Sequence, residues 1–216
     1  MSRPELRVIA IDGPAGAGKS TVARALAARL GLEYLDTGAM YRAVTFGALR
    51  RGIALEDADA VAAYARSAGL EVDDRGVFID GVDATDEVRS AEITRRVSAV
   101  AANGAVRAEL VRRQRAWGAE HGGGVIEGRD IGSVVFPNAV LKLHLTASPR
   151  VRAERRVAEA GGDIDEIAAA IAARDASDRS RADGPLTEAD GSVVVDTTGL
   201  SIDRVLDVIE ELLAER

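Results

Sequence analysis

The chain of 216 residues contains no cysteine and only two histidines, His121 and His144. The lack of thiols excludes disulfide frameworks, cysteine nucleophiles, and zinc or iron–sulfur sites with cysteine ligands. A Ser-His-Asp triad or a His-rich metal site would have to use one of the two histidines, and neither lies in a triad-like context. His144, Trp117 and Tyr34 are interpreted as structural residues.

Aromatic residues make up 3% of the chain, and its formal net charge is −7. Nucleic-acid binding needs a basic face and often aromatic stacking platforms, so this composition argues against it. The longest apolar run near the N-terminus, residues 8–11, is far short of the ~20 residues that cross a bilayer. We therefore expect a cytoplasmic protein that binds neither nucleic acid nor membrane. We also expect a monomer, because the sequence shows no coiled-coil seam and no long apolar edge.

Short aliphatic runs alternate with amphipathic stretches, which predicts an α/β fold with a mostly parallel sheet flanked by helices. Strands are predicted at 6–11, 33–35, 125–127, 140–145 and 193–196. Helices are predicted at 19–30, 40–51, 57–66, 90–101, 104–120, 149–160, 164–181 and from 202 onward. An acidic hairpin within 70–81 interrupts the alternation, so residues 57–98 are interpreted as an insert on the main fold.

A glycine-rich loop follows the first predicted strand and runs directly into a helix. Its sequence is Gly13-Pro14-Ala15-Gly16-Ala17-Gly18-Lys19-Ser20, followed by Thr21, which matches the phosphate-loop pattern in full. The glycines let backbone N–H groups surround an anion, and the helix adds its positive dipole end. Lys19, one of only two lysines in the chain, would reach the β- and γ-phosphates of ATP, and Ser20 would bind Mg²⁺.

The predicted helix 164–181 carries a stripe that changes from aliphatic to ionic without changing phase. The stripe consists of Ile164, Ile167, Ile171, Arg174, Asp178 and Arg181. Its ionic half is typical either of a solvated face with weak ion pairs or of a clamp on phosphate groups. The phosphate loop favours the clamp.

Polar residues also follow two other predicted strands. Arg129 and Asp130 come directly after the strand 125–127, and the segment with Thr37 and Arg42 follows the strand 33–35. Because ligands of open α/β folds bind at the carboxyl ends of the strands, each segment is a candidate binding element.

These segments together resemble the bacterial cytidylate kinases of the nucleoside monophosphate kinase group over essentially the whole chain. The resemblance rests on the phosphate loop with Ile11-Asp12 before it, Asp36-Thr37-Gly38-Ala39-Met40-Tyr41-Arg42, Val106-Arg107, Arg112-Arg113-Gln114-Arg115, Glu127-Gly128-Arg129-Asp130-Ile131-Gly132, Val135-Phe136-Pro137, Arg174-Asp175 and Asp178-Arg179-Ser180-Arg181. It implies a phosphate-loop kinase that transfers the γ-phosphoryl group of ATP to CMP or dCMP with Mg²⁺. It further implies one kinase domain over 1–216, with a core at 1–56, 99–159 and 187–216, a monophosphate-binding insert at 57–98 and a lid at 160–186.

The resemblance also implies roles for individual residues. Lys19, Arg129 and Arg174 would be catalytic, with Arg42 and Arg129 holding the acceptor phosphate. Cytosine would be surrounded by Thr37, Ser98, Arg107, Asp130 and Arg181, whereas Asp178 and Arg174 would lie near the sugar and the transferring phosphate. Thr37 stands where some members of the family carry serine, which keeps the hydroxyl group.

Two other classes of function remain open from the sequence. One is a small phosphate-loop kinase for another acceptor, such as a thymidylate, adenylate or shikimate kinase. The adenylate kinase stretch Asp-Gly-Phe-Pro-Arg and the thymidylate kinase stretch Asp-Arg-Tyr are both absent. The other is a regulatory module that binds ATP without turning it over, which would be expected to lose Lys19 or the second-site arginines.

Overall fold

The structure of the protein is a computed structural model that describes residues 6–216. The strands are β1 (Arg7–Asp12), β2 (Tyr34–Asp36), β3 (Leu70–Asp73), β4 (Gly76–Ile79), β5 (Val82–Asp83), β6 (Gly123–Glu127), β7 (Leu141–Thr146) and β8 (Val193–Asp196). The helices are α1 (Lys19–Leu30), α2 (Thr37–Arg50), α3 (Ala58–Ser67), α4 (Ala91–Ala102), α5 (Gly104–Glu120), α6 (Pro149–Ala160), α7 (Ile164–Ser180) and α8 (Ile202–Ala214). Among the described residues, no helix is long and apolar enough to cross a membrane.

The chain divides into two compact units. Unit 1 comprises Met1–Tyr34 and Gly118–Arg216, and unit 2 comprises Leu35–Trp117. A five-stranded sheet has the order β2-β6-β1-β7-β8, and a separate three-stranded sheet has the order β3-β4-β5. The predicted mostly parallel sheet flanked by helices is confirmed.

Strand β1 lies at the centre of unit 1 and determines where its polar residues meet. It pairs in parallel with β6 on one side and with β7 on the other. Ile11 is level with Glu127 on β6 and with Leu143 on β7, so the three strands end at one edge of the sheet. The phosphate loop leaves β1 at this edge, as the sequence predicts.

Helices α1 and α8 cover one face of this sheet with aliphatic side chains. Leu26 of α1 and Ile209 of α8 are fully buried in a cluster with Ile9 and Leu143 of the strands. Helix α1 ends at Gly31, whose φ of +63° is a left-handed conformation that glycine adopts without strain. The Ser201 hydroxyl caps α8 by accepting from Arg204 N–H. This packing fixes the first turn of α1 at the sheet edge.

Unit 2 is built around helix α2, which begins at the Asp36 cap. The Asp36 carboxylate accepts from Ala39 N–H at 2.9 Å. Helix α2 packs against α3, α4 and the antiparallel sheet. The hairpin predicted within 70–81 is confirmed as β3 and β4, with β5 as a third strand.

Candidate active site

The phosphate loop joins β1 to α1 and has the backbone that its sequence requires. Gly13, Gly16 and Gly18 have φ values of +145°, +75° and +85°, which disfavour residues with a Cβ atom. A Cβ atom on Gly13 would lie 2.0 Å from the Leu145 carbonyl oxygen of the neighbouring strand. The loop is therefore held close to the sheet edge, with helix α1 starting at Lys19.

Lys19 is buried within the loop, although its side chain carries an ammonium group. Its Nζ donates to the Pro14 carbonyl at 2.9 Å. Burial lowers the pKa of Lys19 to about 7, and the positive charges of Arg129 and Arg174 act in the same direction. Glu127 and Asp12 oppose this change. A polyanion at the loop would favour the charged form of the lysine, so the site is electrostatically suited to phosphate groups.

Asp12 connects the end of β1 to the segment that follows β6. Its two carboxylate oxygens accept from Ile131 N–H and Gly132 N–H, each at 2.8 Å. These bonds anchor a π-helical turn at Ile131–Val135 that the sequence analysis missed. Burial raises the pKa of Asp12 to about 6, even though the two backbone donors lower it. Asp12 therefore positions the segment that carries Arg129 and Asp130, a role for which the sequence gives no local signal.

The charged residues predicted on α7 join the segment after β6. Arg129 Nε donates to Asp178 Oδ2 at 2.7 Å, and Arg181 Nη2 lies 3.8 Å from Asp178 Oδ1. Burial raises the pKa of Asp178, but the positive charges of Arg129, Arg181 and Arg174 outweigh it and hold the pKa below its usual value. Asp130 is buried beside Arg129 in the same segment. Unit 1 thus brings together all the catalytic residues predicted from the sequence.

In the ionic half of the α7 stripe, Asp178 is buried, and Arg174 and Arg181 are half-buried. Asp178 is 4% exposed, whereas Arg179, which lies off the stripe, is exposed. The solvated-face alternative is therefore wrong for Asp178. The most buried residue of this stretch is Asp175, at 1% exposure, which lies beside the predicted stripe.

The predicted site residues of unit 2 lie on three helices. Thr37 is buried at the start of α2, and Arg42 is half-buried one turn further along. Arg107 on α5 is buried and donates through Nη1 to the Tyr41 hydroxyl at 3.4 Å, with its guanidinium 5.9 Å from the centre of the tyrosine ring. Ser98 is half-buried on α4. The Arg107 guanidinium is therefore held against the ring of Tyr41.

Sequence analysis missed a buried carboxylate at the end of β6. Glu127 is 4% exposed, accepts from the Tyr34 hydroxyl at 2.6 Å, and is one of the two carboxylates that favour the charged form of Lys19. Tyr34, predicted as a packing residue, is thus also a hydrogen-bond donor. The signal was present, because Glu127 directly precedes Gly128-Arg129-Asp130 at the end of a buried strand.

The donor atoms near the loop fit Mg²⁺ held mainly by a nucleotide. The described residues contain no group of three or more histidine, cysteine or acidic side chains that could hold a metal ion on their own. Mg²⁺ keeps several waters and is bound through few protein oxygens plus substrate phosphates. The half-buried Ser20 hydroxyl, in the first turn of α1, is a hard oxygen ligand of the kind that Mg²⁺ takes.

Known proteins resemble this chain over nearly its whole length. The family model "Cytidylate kinase" matches residues 9–215. A cytidylate kinase of Geobacillus sp. (strain WCH70) is 48% identical over 217 residues, covering 96% of both chains. One from Rhodococcus opacus (strain B4) is 47% identical and covers 97% of this chain and 95% of the relative. A bifunctional pantoate ligase/cytidylate kinase of Synechocystis sp. is 50% identical over 96% of this chain, which spans 42% of that longer protein.

Solved structures share the fold at low sequence identity. An uncharacterized protein from Eubacterium ventriosum superposes with a TM-score of 0.56 at 14% identity, over 98% of this chain and 99% of that one. A Thermus thermophilus protein superposes with a TM-score of 0.53 at 19% identity, over 96% of both chains. These likenesses concern the fold alone.

Proposed function

The chain belongs to the cytidylate kinase family, and from this premise we propose that it transfers the γ-phosphoryl group of ATP to CMP or dCMP, giving ADP and CDP or dCDP. The observation that carries the proposal is the position of Lys19. It is buried in a complete phosphate loop, and the charges of Arg129 and Arg174 reach it. A loop of this kind with several cations around it is suited to phosphoryl transfer.

The phosphate loop holds the donor. Residues 13–21 and the N-terminus of α1 surround the phosphates of ATP, with backbone N–H groups from Gly16 onward as donors, and Lys19 contacts the β- and γ-phosphates. Ser20 is the protein ligand that we assign to Mg²⁺, which supplies charge neutralisation on the β- and γ-oxygens when bound. Release of Lys19 from the Pro14 carbonyl lets its ammonium turn to the donor phosphates.

The protein supplies positioning and charge, and no general base is required. A phosphate monoester is already largely ionised near neutral pH, so the attacking oxygen of the acceptor carries no proton that must be removed. Negative charge spreads over the oxygens of the transferring group, and Arg129, Arg174 and Lys19 stabilise it. The ion pair of Arg129 with Asp178 fixes the direction of that guanidinium before the substrate binds.

Recognition of the acceptor is assigned to the residues that the family resemblance indicates. Arg42 and Arg129 bind its phosphate, and Asp178 with Arg174 binds near its sugar. The cytosine contacts are assigned to Thr37, Ser98, Arg107, Asp130 and Arg181. Asp130 accepts from the amino group of cytosine, whereas uracil would present a carbonyl oxygen, which cannot donate to the buried acid. We also assign residues 57–98 to an acceptor-binding insert and residues 160–186 to a lid.

A panel of acceptors tests the function. ADP formation from ATP and Mg²⁺ is measured with CMP, dCMP, UMP, AMP, GMP and dTMP, with Lys19→Met as the inactive control. Turnover confined to CMP and dCMP is expected. Turnover with a different acceptor only would overturn the acceptor assignments, and nucleotide binding without turnover would support a regulatory module instead.

The remaining assignments concern the protein in solution. A net charge of −7 supports the absence of nucleic-acid binding, and we propose a monomer in the cytoplasm. Sedimentation of the purified protein at several concentrations tests the oligomeric state. A mass near 22.6 kDa at all concentrations is expected.

A further inference from the structure

A buried ion pair holds Ala15 of the phosphate loop on both sides of its backbone. Asp175 Oδ1 accepts from Ala15 N–H at 3.1 Å, and Arg152 Nη1 donates to the Ala15 carbonyl at 2.9 Å. Arg152 Nη1 also donates to Asp175 Oδ2 at 2.5 Å. The side chains of Arg152 and Asp175 are only 10% and 2% exposed. The mechanism above assigns neither residue a role.

We propose that Arg152 and Asp175 are positioning residues for the donor, which set the orientation of the Ala15 peptide and tie helix α7 to the phosphate loop. This inference rests on the proposed kinase function, because it concerns the site that binds ATP. The two residues act through the loop and through α7 and do not contact the reacting atoms themselves.

The cost of burying the pair argues for a task beyond packing. Two buried charges lose their hydration, and replacement of such a pair by apolar residues of similar volume is often neutral or stabilising. In this protein the charges satisfy one N–H and one C=O of a single loop residue, which an apolar pair could not do. The ion pair therefore provides the hydrogen-bond partners of the Ala15 backbone.

The loop also packs closely on the backbone of α6 at Arg152. A Cβ atom on Gly16 would lie 2.9 Å from the Arg152 carbonyl oxygen and 3.0 Å from its Cβ atom. Gly16 follows Ala15 directly, so a rotation of the Ala15 peptide would carry over to the Gly16 N–H group. A shift of the arginine would thus disturb the backbone donors that surround the phosphates.

Asp175 connects the phosphate loop to the charged residues of α7. It is adjacent to Arg174 and lies one turn before Asp178, which binds Arg129. Because the hydrogen bond from Ala15 spans 160 residues of sequence, it fixes α7 relative to the loop at the point where these groups emerge. Misplacement of reacting groups by about 1 Å can reduce a rate by about 10²-fold.

Nucleotide binding and kinetics of Asp175→Asn test the proposal. The asparagine keeps an oxygen for Ala15 N–H but loses the charge that orients Arg152. We expect the KM for ATP to rise about tenfold and kcat to fall about tenfold, with a smaller rise in the KM for CMP, because α7 also carries Arg174 and Asp178. Arg152→Lys, which keeps a charge but has a single donor group, should show the same pattern to a smaller degree.

The double variant Arg152→Met/Asp175→Leu separates positioning from stability. It removes both charges, so its melting temperature should be at or above that of Asp175→Asn, while the KM for ATP stays high. The matched control is Glu109→Gln in unit 2. It weakens an ion pair whose arginine, Arg113, likewise donates to backbone carbonyls, and it should leave both KM values unchanged.

Two outcomes would overturn the proposal. One is a wild-type KM for ATP in Asp175→Asn or in the double variant, and the other is recovery of kinetics together with stability in the double variant. Titration of each variant with a non-hydrolysable ATP analogue, without an acceptor, gives an independent readout. If wild-type protein binds the analogue but does not phosphorylate CMP, weaker binding by Asp175→Asn still supports the positioning role, and only the proposed function fails.

Discussion

The phosphate loop of unit 1 and two acidic residues of unit 2 differ in how the protein shifts their pKa values. In unit 1, burial moves two pKa values toward neutrality, that of Lys19 down to about 7 and that of Asp12 up to about 6. In unit 2, hydrogen bonds from neighbouring donors hold the pKa of Asp83 below its usual value, and bonds from Arg112 and Arg113 lower that of Glu109 to about 2. The charged forms of Lys19 and Asp12 are thus disfavoured in unit 1, whereas those of Asp83 and Glu109 are favoured in unit 2.

The difference in pKa distinguishes ionisable groups suited to bind a ligand from ionisable groups that stabilise the fold. Asp80 of unit 2 accepts from Gly69 N–H, the Tyr64 hydroxyl and the Arg51 guanidinium, so it is fully partnered within the protein. Lys19 of unit 1 has a neutral carbonyl as its hydrogen-bond acceptor and cations nearby. Bound phosphates would add negative charge to that of Glu127 and Asp12 near this lysine, and selection for binding explains why the protein tolerates its burial.

The largest expected effect follows from removing the ammonium of Lys19. Lys19→Met should lower kcat at least about 10³-fold, because charge stabilisation on the transferring phosphoryl group is lost. It should also raise the melting temperature at pH 7 by a few degrees, since a buried cation is removed. Steady-state kinetics and calorimetry check the two effects.

Lys142→Met is the matched control for this substitution, because Lys142 is the only other lysine and its Nζ donates to the Asp190 carbonyl on an exposed part of unit 1. Its kinetics should stay close to those of the wild type. Near-normal turnover of Lys19→Met would contradict the assigned mechanism.

A second comparison uses one carboxylate from each unit. Asp178→Asn should lower kcat/KM about 10²-fold, because Arg129 loses the charge that directs it. Asp80→Asn should leave kcat/KM unchanged and lower the melting temperature by a few degrees, since a charged acceptor is replaced by a neutral one. Asparagine tolerates the φ of +52° at position 80, so backbone strain does not obscure the result. A large kinetic loss in Asp80→Asn would remove the distinction between the units.

Local patterns account for what the sequence could predict. Strand and helix bounds agree with the structure to within a few residues, because aliphatic periodicity and caps such as Gly31 and Ser201 act over one or two turns. The phosphate loop could also be predicted from the sequence, because its residues are contiguous.

The supporting contacts could not be predicted, because they join residues far apart in sequence. The bond from Ile131 N–H to Asp12 spans 119 residues, and nothing in the spacing of either segment indicates it. On α7, steps of three and four from Ile171 lead to Arg174 and Asp175 equally well. Periodicity cannot decide which of the two is buried, and the choice is made by the partner, Arg152, on α6.

A smaller effect is expected on the pH dependence of ATP binding. The pKa of Lys19 is about 7 in the free protein, so the lysine loses its charge as pH rises through neutrality. ATP favours the charged form, and its binding should weaken by up to about tenfold per pH unit above 7. Calorimetric titration of wild-type and Lys19→Met protein between pH 7 and 9 separates the lysine from the titration of ATP itself. Equal pH dependence in the two proteins would contradict the lowered pKa.

The lowered pKa of Lys19 should also change how the free energy of unfolding depends on pH. An unfolded lysine keeps its proton up to about pH 10.4, whereas folded Lys19 releases it above about 7. The unfolded state therefore binds more protons within this interval, and the free energy of unfolding of the wild type rises with pH relative to Lys19→Met. The stability advantage of the variant should accordingly shrink from pH 7 to pH 10. A constant difference would show that the lysine is charged in the folded protein throughout.

The smallest expected effect lies in unit 2, where Glu109→Gln removes a charge that the fold favours. The pKa of Glu109 is lowered to about 2 by hydrogen bonds from Arg112 and Arg113, so its contribution is complete above the unfolded value of about 4.3 and is lost as pH falls toward 2. The variant should be less stable than the wild type by about 1 kcal/mol at pH 7 and equally stable near pH 2. Denaturant unfolding at the two pH values checks this. The direction is opposite to that of Lys19→Met, and a stabilising effect of Glu109→Gln at pH 7 would mean that unit 2 also holds its charges at a cost.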